Sequence, residues 1–457
     1  MISQPKTNQP SMNLLSKYDI PAPRYTSYPT VPYWENSPTK LEWMDSLKKH
    51  FNKDDTKWSM YLHIPFCETL CTFCGCNTII TKDHKRENPY VEHMLKEWQI
   101  YLSEIPNIKD KELKEVHLGG GTPTFLSSEH LVHLMSTLFK DIKKAKDFEA
   151  SIEVDPRRTR PEQLKALFDI GFRRVSMGVQ DFDPEVQRLV NRIQPERMTL
   201  DLTKKSREIG FTSVNYDLIY GLPKQTKDSI RTLAEKTLEH RPDRIALYSF
   251  ALVPWIKPTH RLYKDEDLPM GLQKRELYEI SRSILMAGGY KEIGMDHFAL
   301  ETDTLYKAVK ENKLHRNFMG YTHHRTDILL GLGVSSISET PDTFHQNEKK
   351  YPIYQRSIDN GEIASLRGHQ LTDADQIRRE QILELMTTWS TKLDDLEHEK
   401  NVKVFLTELI NDNLVEVKDQ MIFVKEAGRP FLRNICMALD ERLRLNKPSQ
   451  QVFSRSL

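Results

Sequence analysis

Four of the chain's five cysteines fall within ten residues, as Cys67-Glu-Thr-Leu-Cys71-Thr-Phe-Cys74-Gly-Cys76. Thiolate is the side-chain ligand that iron and zinc favour, so a group this tight points first to a metal. A structural zinc site usually takes its four ligands from two separated pairs and closes its coordination shell around them. No second pair exists here. Gaps of three and two residues between Cys67, Cys71 and Cys74 suit a single loop around one corner of a cubane iron–sulfur cluster, leaving a fourth iron free for substrate chemistry. Cys76 stands so close to Cys74 that joint ligation is awkward, and it is read as a neighbour of the cluster. Zinc and disulfides stay open as alternatives. A long chain with few other cysteines argues against disulfides.

Such a loop needs a rigid element beneath it. Short β-branched or aromatic runs at 59–64, 114–119, 149–154, 173–178, 213–219 and 244–250 read as strands. Amphipathic stretches at 88–104, 127–141, 161–170, 198–209 and 226–240 read as the helices between them. Right-handed crossovers make the six strands parallel, and sites on such sheets gather at the C-terminal strand ends. The cysteines follow the first strand, and Gly119-Gly120-Gly121-Thr122 follow the second. Glu153 and Asp155 end the third, Gln180 and Asp181 follow the fourth, Asn215 and Asp217 sit in the fifth, and Ala251 follows the sixth. Three glycines after a strand let the backbone approach a ligand closely. Neither a Gly-Lys-Ser/Thr nor a G-x-G-x-x-G pattern is present to make them a phosphate loop.

With 457 residues the chain can hold one large core and a smaller second domain. Lys+Arg 66 against Asp+Glu 65 gives a net charge of +1, so no basic field draws it to nucleic acid. There is no apolar stretch of membrane-spanning length and no leader-like start, so a soluble cytoplasmic enzyme is expected. Residues 1–52 carry prolines from Pro5 to Pro38 together with Tyr18, Tyr25, Tyr28, Tyr33 and Trp34, which reads as an arm folded over the main domain. From about residue 366 the pattern turns helical. Thr372 caps one helix, another spans about 400–411, a hairpin pairs 414–417 with 421–424, and a last helix starts near Pro430. That order is winged-helix-like, and with balanced charge a lid or docking role is expected over DNA binding. Cys436 reads as core.

The C-x3-C-x2-C spacing with Phe73 before the last cysteine resembles the cluster loop of the radical S-adenosylmethionine superfamily. His63-Ile-Pro-Phe66, Cys76, Arg24-Tyr-Thr-Ser-Tyr-Pro29, Gly119-Gly-Gly-Thr-Pro-Thr124 and Gly294-Met-Asp-His-Phe298 extend the likeness. They resemble, more closely, the oxygen-independent coproporphyrinogen III oxidase (coproporphyrinogen dehydrogenase) family of porphyrin and haem biosynthesis, over nearly the whole chain.

The resemblance implies a partial (β/α)6 barrel over residues 53–365, an arm over residues 1–52 that helps cover the active site, and a C-terminal domain over 366–457. It implies a 4Fe-4S cluster on Cys67, Cys71 and Cys74 and two molecules of S-adenosylmethionine, one of them exchangeable on the cluster. Tyr61, Gly120, Glu153 and Ile337 match contacts to the first; Phe73, Gly121, Thr122, Gln180, Arg192, Asp217 and Ala251 match contacts to the second. Tyr61 is also carried over, with the cysteines, as catalytic. By residue type alone, Glu153 and Asp217 could instead be buried ion pairs, Arg192 a helix-end charge and Tyr61 core.

The implied reaction converts two propionates of coproporphyrinogen III to vinyl groups, giving protoporphyrinogen IX. A 5'-deoxyadenosyl radical abstracts hydrogen from carbon too weakly acidic for a protein base. His315, Arg316 and Arg24 are the expected cationic partners of the substrate's carboxylates. A low-potential electron donor and a monomeric state are also expected. A haem chaperone of the same superfamily is the alternative reading, and a zinc-stapled DNA-binding protein a third.

Overall fold

The computed structural model describes residues 12–448 and 450–456; Pro5 and Pro10 of the arm lie outside the described residues. Six parallel strands lie side by side in chain order: β1 (Lys57–Ile64), β2 (Glu112–Gly120), β3 (Lys144–Val154), β4 (Arg174–Gln180), β5 (Ser213–Tyr220) and β6 (Arg244–Ser249). Each contains or closely overlaps a run expected to be a strand. The helices between them, Glu87–Glu104, Ser128–Leu138, Pro161–Asp169, Glu196–Ile209 and Lys227–His240, also fall where the apolar periodicity puts them. Their starts are chemically marked. The Ser127 hydroxyl accepts from the His130 N–H and the Thr226 hydroxyl from the Ser229 N–H, satisfying amides that the first helical turn leaves free.

The sheet extends beyond these six strands. β7 (Lys291–Ile293) and β8 (His297–Ala299) add antiparallel beside β6. On the other side β9 (Ile328–Leu332) pairs parallel with β1 and is followed by the antiparallel β10 (Ile337–Glu339), β11 (Thr343–Asn347) and β12 (Ser365–Gln370). The full order is β12-β11-β10-β9-β1-β2-β3-β4-β5-β6-β8-β7, and among the described residues β12 does not pair with β7, so the barrel is partial.

Successive strand residues point to opposite faces. On the outer face Val116, Leu118, Ile152, Met177, Tyr216 and Leu247 are buried in the main core, packed with helix residues such as Trp98, Leu134 and Leu167. The inner face is polar. Glu115 and His117 of β2, Ser151 and Glu153 of β3, Ser176 of β4, and Asn215 and Asp217 of β5 all line one cavity. A parallel sheet covered on both sides usually reads as continuous apolar runs; here the alternation marks a polar lumen.

A second apolar core joins the arm to the C-terminal region. Tyr18, Tyr25 and Tyr28 are buried with Leu385, Leu406, Phe431 and Cys436. The Tyr18 hydroxyl donates to Asp412 at 2.5 Å and that of Tyr25 to Asp440 at 3.1 Å. Thr372 caps Asp373–Thr388 through a capping box with Asp375, as its place in the sequence implies. The next helix, Leu396–Asn411, starts earlier than expected because Asp395 caps it, accepting from the His398 N–H. The hairpin pairs Val415–Lys418 with Met421–Val424, and Ser390–Lys392 adds a third strand to it. The single last helix expected from Pro430 is instead divided. Glu426–Phe431 is 3-10 with Pro430 inside it, Leu432–Cys436 is α, and Asp440 caps a new short helix, Glu441–Leu445.

Candidate active site

The cysteine loop leaves the C-terminal end of β1 and folds over the mouth of the lumen. Cys67, Cys71, Cys74 and Cys76 all line the resulting cavity, of about 320 Å³, and all are free thiols. The Phe66–Cys67 segment pairs with Ile79–Ile80, closing the loop's base. The Cys67 Sγ lies 3.4 Å from the Thr122 hydroxyl. The Cys71 Sγ accepts from Arg157 at 3.5 Å and Arg192 at 3.6 Å. Both guanidiniums also pair with Asp155, at 2.7 and 3.3 Å. Although burial disfavours the Asp155 carboxylate, these arginines hold its pKa below the ordinary range. The neighbouring Cys76 thiol, with the cations Lys257 and Arg192 nearby, holds the Cys74 thiol below its ordinary range.

The glycines shape the wall facing this loop. Gly120 has φ +114°, and a Cβ there would stand 2.8 Å from the His63 ring. A Cβ on Gly121 would stand 2.6 Å from the Pro65 carbonyl oxygen, so only glycine lets β2 press against the chain entering Cys67. The Gly121 N–H donates to Ile64 O at 2.8 Å and the Thr122 N–H to Phe66 O at 2.9 Å.

Two carboxylates inside the lumen have different surroundings. Glu153 accepts from His117 at 3.2 Å and from the Gly120 N–H at 3.2 Å, and His117 also meets the Ser151 hydroxyl at 2.7 Å. Burial raises the Glu153 pKa, but His117 and the amide outweigh it. Asp217 has only neutral partners, the Ser176 hydroxyl at 2.8 Å and the Asn215 amide at 2.9 Å. Burial, with the Glu153 charge adding to it, lifts Asp217 to about 6.

Of the residues singled out in the sequence, Cys67, Cys71, Cys74, Phe73, Gly120, Gly121, Thr122, Glu153, Gln180, Arg192 and Asp217 line this one cavity. Gln180 does so from a left-handed backbone, φ +67°, at a register shift between β4 and β5. Arg192 donates to the Gly178 carbonyl, and its Nε has no partner. Three residues are not on the wall. Tyr61 donates to His63 Nδ1 at 3.0 Å, while His63 Nε2 donates to Asn77 O at 2.9 Å. The Tyr61 ring stacks on His117, one residue removed from Glu153. Ile337 packs against Trp34, Phe344 and Leu371. Ala251 lies past the end of β6, outside both cavities. Arg24 lines a second cavity, Arg316 is buried against Tyr321 at 3.3 Å, and His315 lines neither.

Asp155, placed on the rim by its position after the third strand, is there; His117 and Arg157 are functional neighbours that residue-type reasoning passed over. The signal for His117 was the alternation of Glu115 and His117 with Val116 and Leu118, polar where a doubly covered strand should be apolar.

The donor set fits an iron–sulfur cluster with a cationic amino-acid cofactor. It has three thiols on one wall, a backbone cradle that a Cβ would fill, and a lumenal carboxylate without a cation. Among the described residues no three His, Cys, Asp or Glu side chains converge as on a single metal ion.

A parallel β/α partial barrel with its cysteine loop after the first strand and a glycine cradle after the second defines a radical S-adenosylmethionine protein, and residues 61–237 match the Radical SAM superfamily. The chain is 40% identical over 451 residues to the oxygen-independent coproporphyrinogen III oxidase of Escherichia coli K12, covering 97% of each. It is 38% identical over 455 residues to that of Pseudomonas aeruginosa PAO1, covering 97% of this chain and 98% of the relative. The solved structure of coproporphyrinogen III oxidase (HemN) from Escherichia coli superposes with a TM-score of 0.88 at 38% identity, over 95% of this chain and 99% of that one. The chain belongs to the oxygen-independent coproporphyrinogen III oxidase family of radical SAM enzymes. Membership implies a 4Fe-4S cluster and S-adenosylmethionine. No helix among the described residues is long and apolar enough to cross a membrane.

Proposed function

We propose that the chain catalyses the oxygen-independent oxidative decarboxylation of two propionate side chains of coproporphyrinogen III to vinyl groups, giving protoporphyrinogen IX. The observation that carries this reading is one cavity gathering three thiols, the glycine cradle and two unlike carboxylates, in a chain that matches the named oxidases from end to end. Cys67, Cys71 and Cys74 hold the cluster, and Cys76 lines the cavity beside them as its neighbour. When bound, the reduced cluster and S-adenosylmethionine supply a 5'-deoxyadenosyl radical that can take hydrogen from unactivated carbon.

The protein's part is binding, orientation and exclusion of water. Gly120, with φ +114°, turns its backbone toward the methionine end of a first S-adenosylmethionine, and Glu153, steadied by His117, receives it. Tyr61 acts on that group through His63 and His117. Gly121, Thr122, Phe73, Gln180 and Arg192 form the walls for a second S-adenosylmethionine, and Asp217 offers it a buried negative charge without a protein cation. In this reading Ile337 belongs with the first S-adenosylmethionine and Ala251 with the second. Residues 1–52 act as the arm over the cavities, 53–365 as the catalytic domain and 366–457 as the C-terminal domain. The enzyme works in the cytoplasm as a monomer, fed by a low-potential one-electron donor.

The test is anaerobic turnover with coproporphyrinogen III, dithionite and S-adenosylmethionine, read as protoporphyrin fluorescence after oxidation. Product formation that disappears in Cys67→Ala, Cys71→Ala and Cys74→Ala is expected. Stable haem binding with no product would overturn the reading.

A further inference from the structure

The cysteine loop is tied down unevenly. Its base is anchored by the pairing of Phe66–Cys67 with Ile79–Ile80. Leu70 and Thr72 are held by a neighbouring turn, Asn191 donating to Leu70 O at 2.7 Å and the Thr72 N–H to Val190 O at 3.1 Å. For residues 73–76, among the described residues, the hydrogen bonds that arrive from outside the loop come from Lys257 and His260 alone.

Both belong to the chain that follows β6, where it forms a short 3-10 helix, Pro258–Leu262. Three residues per turn bring side chains at i and i+3 into one line. Lys257, His260 and Tyr263 have that spacing, the His260 N–H donating to Lys257 O at 3.0 Å and the Tyr263 N–H to His260 O at 3.4 Å. All three reach the loop. Lys257 Nζ donates to Cys76 O at 2.7 Å, His260 Nε2 donates to Phe73 O at 3.2 Å, and the Tyr263 hydroxyl meets that of Thr72 at 2.6 Å. Ile256 and Leu262 of the same segment are exposed, so their burial is not what seats it there.

His260 is the buried centre of this line. The Val253 N–H donates to its Nδ1 at 3.1 Å, so the ring's one hydrogen is on Nε2 and goes to Phe73 O. The Phe73 carbonyl and the Cys74 N–H are two ends of one planar peptide. Its N–H end donates to Cys71 O at 3.1 Å, and its carbonyl end is held by His260. Fixing both ends sets the plane of that peptide, and with it the placement of Cys74 relative to Cys71. None of the three clasping residues lines the main cavity, so they act through the loop.

We propose that Lys257, His260 and Tyr263 form a clasp that keeps the cysteine loop in the shape that holds the cluster, with His260 as its positioning residue. The proposal rests on the cluster assignment made under the function proposed above.

Two substitutions separate the two bonds of His260. The amide of His260→Asn places its oxygen near the former Nδ1 and keeps the Val253 bond alone, whereas the longer His260→Gln places its nitrogen near Nε2 and keeps the bond to Phe73. The test uses full-length protein reconstituted anaerobically with iron and sulfide and challenged with the ferrous chelator bathophenanthroline. Iron loss is expected to be about tenfold faster in His260→Asn, the scale of one lost buried hydrogen bond, and within about twofold of wild type in His260→Gln. In the asparagine variant kcat for protoporphyrinogen IX should fall while KM for coproporphyrinogen III is unchanged. Tyr263→Phe, which removes only the hydroxyl at Thr72, should speed iron loss by about threefold. Iron loss at the wild-type rate in His260→Asn or, should the His260 variants not fold, in Tyr263→Phe would overturn the clasp. Equal acceleration in His260→Asn and His260→Gln would overturn it as well, and a wild type that still makes product would leave the function standing. Faster iron loss confined to His260→Asn, in a protein whose wild type makes no protoporphyrinogen IX, would support the clasp and defeat the proposed reaction.

Discussion

Replacing Asp217 by Asn should stabilise the ligand-free protein and weaken its hold on S-adenosylmethionine. The carboxylate lies inside the lumen with two neutral donors, Ser176 and Asn215, and no cation. Burial and the Glu153 charge lift its pKa from the ordinary 3.8 to about 6. Below about pH 4 the group is protonated both folded and unfolded, and no penalty exists. Between about pH 4 and 6 the unfolded chain releases the proton while the folded one retains it, so stability falls as pH rises. Above pH 6 the full penalty applies, about 3 kcal/mol at 1.36 kcal/mol for each pH unit of difference. Because Asp217 faces a cavity that water can enter, about 1–3 kcal/mol is the expected size. Asparagine can keep the local bonds, its carbonyl accepting from Asn215 and its amide donating to the Ser176 hydroxyl, which also accepts from Asn215 at 2.8 Å. Thermal unfolding of cluster-free wild type and Asp217→Asn, followed by circular dichroism from pH 4.5 to 8, should show a variant advantage that grows up to pH 6 and then levels. Calorimetric binding of S-adenosylmethionine to the reconstituted variant should weaken by tenfold or more, because a cationic ligand loses its counter-charge. An advantage independent of pH, or a variant less stable than wild type at pH 7.5, would refute the reasoning.

Two further outcomes follow from the loop itself. Arg157→Met removes a donor 3.5 Å from the Cys71 sulfur and leaves Asp155 with Arg192 alone, both changes making the surroundings more negative. The reconstituted cluster should keep its iron while its midpoint potential, measured by a redox titration followed by electron paramagnetic resonance, falls on the order of tens of millivolts; an unchanged potential would remove Arg157 from the account. Gly121→Ala brings a Cβ to 2.6 Å from the Pro65 carbonyl oxygen and must push away the chain that delivers Cys67. Affinity for S-adenosylmethionine should drop at least tenfold with the barrel still folded, and wild-type affinity would show that the cradle is not where the cofactor is held.

What could be read from the sequence was what is encoded locally. The cysteine spacing, the glycine run and the six β/α units each lie within one short stretch, and their periodicities fall where the strands and helices do. The flanking sheet was not legible for a physical reason. β10 has three residues and β11, Thr343–Asn347, is polar in sequence although buried, because its neighbours cover it on both sides. Long-range partnerships were equally hidden. Nothing near His117 in the chain announces its bond to Glu153, 36 residues away, and nothing near Arg433 announces its grip on the carbonyls of Ala22 and Pro23. Tyr61 is a further case: its place in β1 is local, whereas its bond to His63 Nδ1 and its stacking on His117 bring together residues that the chain around it does not announce.

The division of labour between the two faces of the sheet explains how so many awkward charges are tolerated. Outward-facing side chains such as Val116, Ile152, Met177, Tyr216 and Leu247 are essentially removed from solvent, and each such residue contributes about 1.5–3 kcal/mol. That outer layer lets the inner face keep groups that folding alone would discard: Asp217 without a cation, Arg192 with an unpartnered Nε, and Gln180 in a left-handed backbone. Each is unfavourable in the empty protein and becomes favourable only when an opposite charge, an acceptor or a close-packed ligand arrives. The cavity is therefore pre-strained toward occupancy, and ligand binding should stabilise the protein most where its own residues leave charges unmatched.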